Sequence, residues 1–265
     1  MLSDRLLETG LDGVALKPRE VDLATLDDVP FDRVTVDFEG AEALPSPATL
    51  ERLADLSSLR VTVPVRADGF DPLGDDRRWA DLPADADVAL VAGNPAYLSA
   101  RERRRRIAPR LAAGLERAPD AWVGTEGIES VARETGATQF DLLGPDTEAR
   151  TRALLDDGHD GGVAVYAPTA LTADDDALLA ALGPYVSRRR PVAAALPAGA
   201  PVDASAMGRA RDVLLSACRD YAVVGDLAAV RERVEALRAA GVDHVVGYPA
   251  RGLDAFRASS HGSSS

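Results

Sequence analysis

Residues 221–253 read YAVVGDLAAVRERVEALRAAGVDHVVGYPARGL. Val224-Gly225-Asp226 predicts a turn ending in an aspartate N-cap, whose carboxylate accepts a free N–H of the first helical turn. Val230, Val234 and Leu237 follow at helical spacing and give residues 227–240 one apolar stripe. Gly241 supplies the helix stop, and Val242-Asp243 leads into a short valine-rich strand, His244–Tyr248. Helix, glycine and buried strand in this order are half of a βα repeat, and the rest of the chain should repeat the pattern.

It does so from the start. Strands are expected at Gly13–Lys17, Arg33–Phe38, Arg60–Val65, Val88–Ala92, Ala121–Thr125, Gln139–Leu143 and Gly162–Tyr166, before the last at His244–Tyr248. Several are apolar on both faces, as a sheet covered by helices requires. Helical patterns fall at Ala48–Leu56, Ser99–Ala118, Ile128–Thr135, Thr147–Asp156, Asp174–Tyr185, Ala206–Arg219 and Leu227–Ala240. Alternation demands parallel strands with right-handed crossovers, and eight strands favour an α/β fold closed as a (β/α)8 TIM barrel over an open sheet. The connections after the first and third strands show no clear helix. Residues 167–243 leave room for a helical insert between strands seven and eight, punctuated by Pro191, Pro197 and Pro201. Residues 1–256 read as a single barrel domain, and the polar tail 257–265 reads as disordered.

Composition bounds the setting. The formal net charge is -13, Lys17 is the only lysine, Asn94 the only asparagine, and aspartates far outnumber glutamates. Short hydrated carboxylates keep a surface solvated in concentrated salt, which screens their mutual repulsion; the pattern reads as salt adaptation. Such a surface repels nucleic acid. The arginine runs 103–106 and 188–190 read as solvated faces pairing with nearby aspartates. A single cysteine, Cys218, excludes an internal disulfide. No apolar run is long enough for a bilayer, and residues 1–13 lack a signal peptide's apolar core, so a cytoplasmic protein off the membrane is expected.

The C-terminal stretch resembles the end of the luciferase-like monooxygenases, a superfamily of flavin- and deazaflavin-dependent barrel oxidoreductases. The shared features are the Val-Gly turn, the acid-capped amphipathic helix and Ala240-Gly241-Val242-Asp243 before the final strand. Upstream, Gly144-Pro145 and Asp160-Gly161-Gly162-Val163 are similar to the family's Gly-Pro…Asp-Gly-Val segment. The resemblance implies a haloarchaeal-type member with the coenzyme F-420 or FMN as cofactor, its phosphate end near the sixth and seventh strand ends. The N-terminal half carries none of the family's motifs.

Barrels place function just past strand C-termini. That geometry nominates Lys17, Glu39 and Glu126 as catalytic candidates, and Asn94, Gly144, Thr169 and Arg251 as cofactor-binding candidates. Lys17 can bind an anion or form a Schiff base. Asp37 and Glu39 share a strand face, and either could serve as a base or a metal ligand. The histidines show no metal-ligand spacing. His244 opens the last strand at the stability end of the barrel. Three readings compete. The first is hydride transfer on a small-molecule substrate through flavin or deazaflavin; the second is a catalytically degenerate barrel that binds a metabolite or forms a homodimer. The third is a lyase or isomerase built on Lys17.

Overall fold

The computed structural model describes residues 8–26 and 31–254. The tail expected at 257–265, with His261, lies outside the described residues. The strands are β1 (Gly13–Leu16), β2 (Arg33–Val36), β3 (Ser58–Pro64), β4 (Asp87–Val91), β5 (Trp122–Gly124), β6 (Gln139–Leu142), β7 (Val163–Leu171), β8 (Val223–Gly225) and β9 (His244–Pro249). Each of β1 to β7 pairs in parallel with the next, β9 pairs with β7, and β9 with β1 closes the circle. The barrel is a closed eight-stranded parallel TIM barrel, and all eight expected strands take their places in it.

β8 is the exception. The sequence predicts a turn there, yet the segment adds a ninth strand outside the circle, pairing in parallel with the far end of β7 (Thr169 with Val223, Leu171 with Gly225) beside an antiparallel bridge from Gly225 to Thr172. β7 makes this possible by running five residues past its expected end at Tyr166 to Leu171.

The helices are α1 (Pro47–Leu56), α2 (Ala100–Arg103), α3 (Ala108–Arg117), α4 (Glu129–Glu134), α5 (Thr147–Asp156), α6 (Asp175–Val186), α7 (Arg190–Ala195), α8 (Gly208–Tyr221) and α9 (Leu227–Ala239). One expected helix, Ser99–Ala118, is two. Pro109 near the start of α3 has no N–H for a helical bond to residue 105, so the helix restarts there. Ser99 and Glu102 close a capping box on α2. At α9 the sequence reading holds in detail: the Asp226 carboxylate accepts the Ala229 N–H at 2.9 Å. Gly241 takes φ +102°, and a Cβ there would meet Leu155 at 2.3 Å. Among the described residues, no α-helix follows β1 or β3; short 3-10 turns, Leu23–Thr25 and Arg77–Asp81, lie in those connections. Among the described residues, no helix is long and apolar enough to cross a membrane.

Alternation along each strand sorts the core. Val14, Leu16, Val34, Val36, Val61 and Val165 face outward and pack with Leu50 and Leu53 of α1 and Val230, Val234 and Leu237 of α9. Burying each such side chain contributes about 1.5–3 kcal/mol. The insert builds its own core from α6, α7 and α8, with Leu179, Leu182, Leu214 and Cys218 at its centre. Burial pushes the Cys218 thiol up to about 11, so it behaves as an apolar filler. The inward residues are fewer and more aromatic: Ala15, Ala89, Trp122, Phe140, Ala164, Tyr166 and Val246. The small residues let the rings occupy the barrel axis.

Candidate active site at the barrel mouth

The C-terminal ends of β1, β2 and β9 and the middle of β7 bring Lys17, Asp37, Tyr166 and Tyr248 together. Asp37 follows β2 with the inward parity of Thr35, and Lys17 follows β1 with the parity of Ala15. The Tyr166 hydroxyl donates to Asp37 Oδ2 at 3.1 Å. The Lys17 ammonium lies 4.0 Å over the Tyr248 ring centre and 3.7 Å from Glu20 Oε1. Tyr248 donates its hydroxyl to Glu20. The Tyr166 and Tyr248 rings stack with centroids 6.1 Å apart.

Asp37 carries the unusual electrostatics. Burial pushes its carboxyl up to about 7, against the opposing pull of the Lys17 charge and the Tyr166 hydrogen bond; Glu39 and Glu20 add to the rise. Burial likewise holds Tyr166 and Tyr248 well above the usual phenol range, so both are hydrogen-bond donors at neutral pH. The mouth thus holds one carboxyl near half-protonation, one ammonium and two neutral phenols.

Glu39 sits beside this group in a fixed position. Its carboxylate accepts the Arg19 N–H at 2.8 Å and the Tyr97 hydroxyl at 3.4 Å, while its carbonyl accepts Arg19 Nε at 2.8 Å. It anchors the loop after β2, and Asp37 lies two residues earlier. The strand-end argument singles out both carboxylates; it misses Tyr166, because an apolar run, GVAVY, hides which of its alternating residues faces the axis.

The other nominated residues lie apart. Glu126 is exposed after β5, and Arg251 is exposed after β9. Asn94 caps the 3-10 turn Pro95–Tyr97, its amide oxygen accepting the Ala96 N–H at 2.9 Å. Thr169 lies inside β7 rather than past its end, fully buried, with its hydroxyl donated to the Ala167 carbonyl at 2.9 Å. The Gly144 N–H is donated to Thr147 Oγ1 at 2.8 Å, and the adjoining start of α5 carries Asp146 and Glu148. The two nominated donors, the Gly144 N–H and the Thr169 hydroxyl, are therefore used internally. Among the described residues, no three His, Cys, Asp or Glu side chains are placed to hold a metal ion. At the opposite end of the barrel, an open cleft of about 470 Å³ lies between α9 and Gly10, lined by Glu8, Arg231, Val234, Glu235 and Arg238.

Comparison with known proteins gives relations of sequence and of fold. Residues 6–256 match the model of a family of unknown function, DUF7388. An uncharacterized protein of Methanocaldococcus jannaschii, MJ1239, is 28% identical over 193 residues, which cover 67% of this chain and 77% of that protein. Among solved structures, an F420-dependent secondary alcohol dehydrogenase in complex with an F420-acetone adduct is similar at a TM-score of 0.54 and 12% identity. That match covers 91% of this chain and 94% of the dehydrogenase, and at this identity the likeness is one of fold.

Proposed function

The chain belongs to the DUF7388 family, and we propose that it is an enzyme whose barrel mouth moves a proton on a small oxygenated molecule, with Asp37 as the acid–base group. The observation that carries this reading is the carboxyl pushed to about 7 at the strand C-termini, between a phenol donor and an ammonium. A general acid–base works best when its pKa lies near the working pH. As a carboxylate, Asp37 can take a proton from a substrate hydroxyl or from the carbon beside a carbonyl. As an acid, it can return that proton. The Lys17 ammonium is the group that would stabilise charge developing on the substrate oxygen, while the Tyr166 hydroxyl stays on Asp37 and the Tyr248 hydroxyl on Glu20.

The test is proton exchange in D2O with acetone, dihydroxyacetone and pyruvate, followed by proton NMR. The reading predicts catalysed loss of the proton beside the carbonyl in at least one of them, and a drop of roughly 10²–10⁴-fold in Asp37→Asn. Exchange no faster than in buffer with all three, or undiminished exchange in Asp37→Asn, would contradict it.

A second reading keeps the redox chemistry: a luciferase-like oxidoreductase transferring hydride through F420 or FMN. Its support is the likeness of fold to an F420-dependent dehydrogenase. Proton transfer at Asp37 would serve alcohol–ketone interconversion as well; the nominated Gly144 and Thr169 donors are already bonded within the protein, and no step is assigned to the cofactor. Saturable binding of F420 or FMN, followed by absorbance, would support this reading; no binding of either would exclude it.

A further inference from the structure

The insert brings a second constellation to the mouth. Arg189, between α6 and α7, has its guanidinium 4.7 Å from the Tyr185 ring centre and 5.5 Å from the Tyr221 ring centre, and it donates to the Tyr185 hydroxyl. These rings reach the barrel. A Cβ on Gly144, just past β6, would lie 3.7 Å from Tyr221. Tyr185 feels the charge of Glu126, just past β5, and acts electrostatically on Tyr166, the partner of Asp37.

The sequence reading pairs Arg189 with an aspartate. Instead, among the described residues, no carboxylate lies within ion-pair distance of it, although this chain is rich in acids and Arg105 and Arg110 on the other side of the barrel share Asp71. The half-buried guanidinium has five N–H donors and spends one on Tyr185. The two rings and the Tyr185 hydroxyl hold the guanidinium in place, and a planar fork matches the two oxygens of a carboxylate or phosphate. The Tyr185 hydroxyl accepts from Arg189, so its own proton remains free to donate to the same anion.

We propose that Arg189 and Tyr185 form an anion-recognition site at the mouth, which selects substrates carrying a carboxylate or phosphate group. The inference rests on the mouth being the reactive site, and it narrows the substrate class to acidic small molecules. Glu126 is the opposing charge at this rim and limits the affinity for anions.

Isothermal titration of the full chain with inorganic phosphate and with succinate, at fixed ionic strength, tests it; the tighter of the two identifies the group recognised. Saturable binding is expected in the wild type. Arg189→Met should weaken it about tenfold or more, the loss of one charge-assisted pair, with Arg189→Lys in between. Glu126→Gln should tighten it. Arg231→Met, which removes an exposed arginine on α9, should leave it unchanged and controls for net charge. Binding is read without turnover, so failure of the acid–base reading leaves this result standing on its own. No saturable binding to the wild type, or equal binding by the wild type and Arg189→Met, would overturn the proposal.

Discussion

The two ends of the barrel interior carry similar side chains and treat them in opposite ways. At the N-terminal end, the Arg60 guanidinium lies 3.3 Å over the Trp122 ring centre and donates to Asp87 at 2.8 Å. His244 stacks on the same indole with centroids 5.2 Å apart. Burial lowers Arg60 to about 10, with Asp87 opposing, so it stays charged at neutral pH. Burial also lowers His244, which stays neutral. Each group there is held in one protonation state, and the cluster acts as a plug. At the mouth, Asp37 is pushed to about 7 and is not settled in either state. What separates a structural cluster from a reactive one is the margin left between a group's pKa and the working pH, more than the kinds of residue present.

The largest expected effect lies at the plug. Trp122→Ala removes the surface on which Arg60, Phe140 and His244 rest. It should cost about 3–5 kcal/mol in denaturant unfolding. The titration of Asp37 should not move; if it did, the two ends would not be separable.

Asp37→Asn comes next and should stabilise the protein at alkaline pH. The folded carboxyl is raised above its unfolded value, so between about 4 and about 7 the unfolded state releases its proton first and stability falls as pH rises. The variant removes that loss. A tenfold change in proton affinity is worth about 1.4 kcal/mol, so the gain above pH 7 is at most a few kcal/mol, and near pH 4 it should vanish. A melting curve that shows the gain at low pH instead would break the account.

Lys17→Met and Tyr166→Phe each remove a group that favours the Asp37 carboxylate, so both should move its titration further up, Lys17 the more, since its charge is the larger opposing influence. Smallest is the His244 effect. Its lowered pKa means that stability falls as pH drops below the unfolded value of about 6.5, and His244→Gln should flatten that limb by a fraction of the Asp37 effect.

The barrel was legible because strand and helix signals are local. GVALK, RVTVDF and HVVGY announce strands, and Asp226 and Gly241 announce the ends of α9. Among the described residues, the connections that showed no helical pattern contain no α-helix, and Leu23 and Leu26 are buried at the 3-10 turn after β1. β8 was not legible. Three residues carry no periodicity, and their strand geometry comes from β7, which extends beneath them. The site was half legible. Strand-end position found Lys17, Glu39 and, beside it, Asp37. It could not show that Glu39 is engaged by Arg19 and Tyr97, that Thr147 takes the Gly144 amide, or that Tyr166 faces the axis. Those are facts of burial and pairing between distant segments. The run Arg188–Arg190 misleads for the same reason: composition offers aspartates in plenty, and the fold gives Arg189 two tyrosines.

The central claim is that the mouth holds a carboxyl poised near neutrality. The direct measurement is the carbon-13 shift of the aspartate side-chain carboxyls across the pH range, in the wild type and in Asp37→Asn. The account predicts one resonance titrating near 7 that disappears in the variant. A spectrum in which every aspartate, Asp37 included, titrates near the ordinary value of about 4 would contradict it.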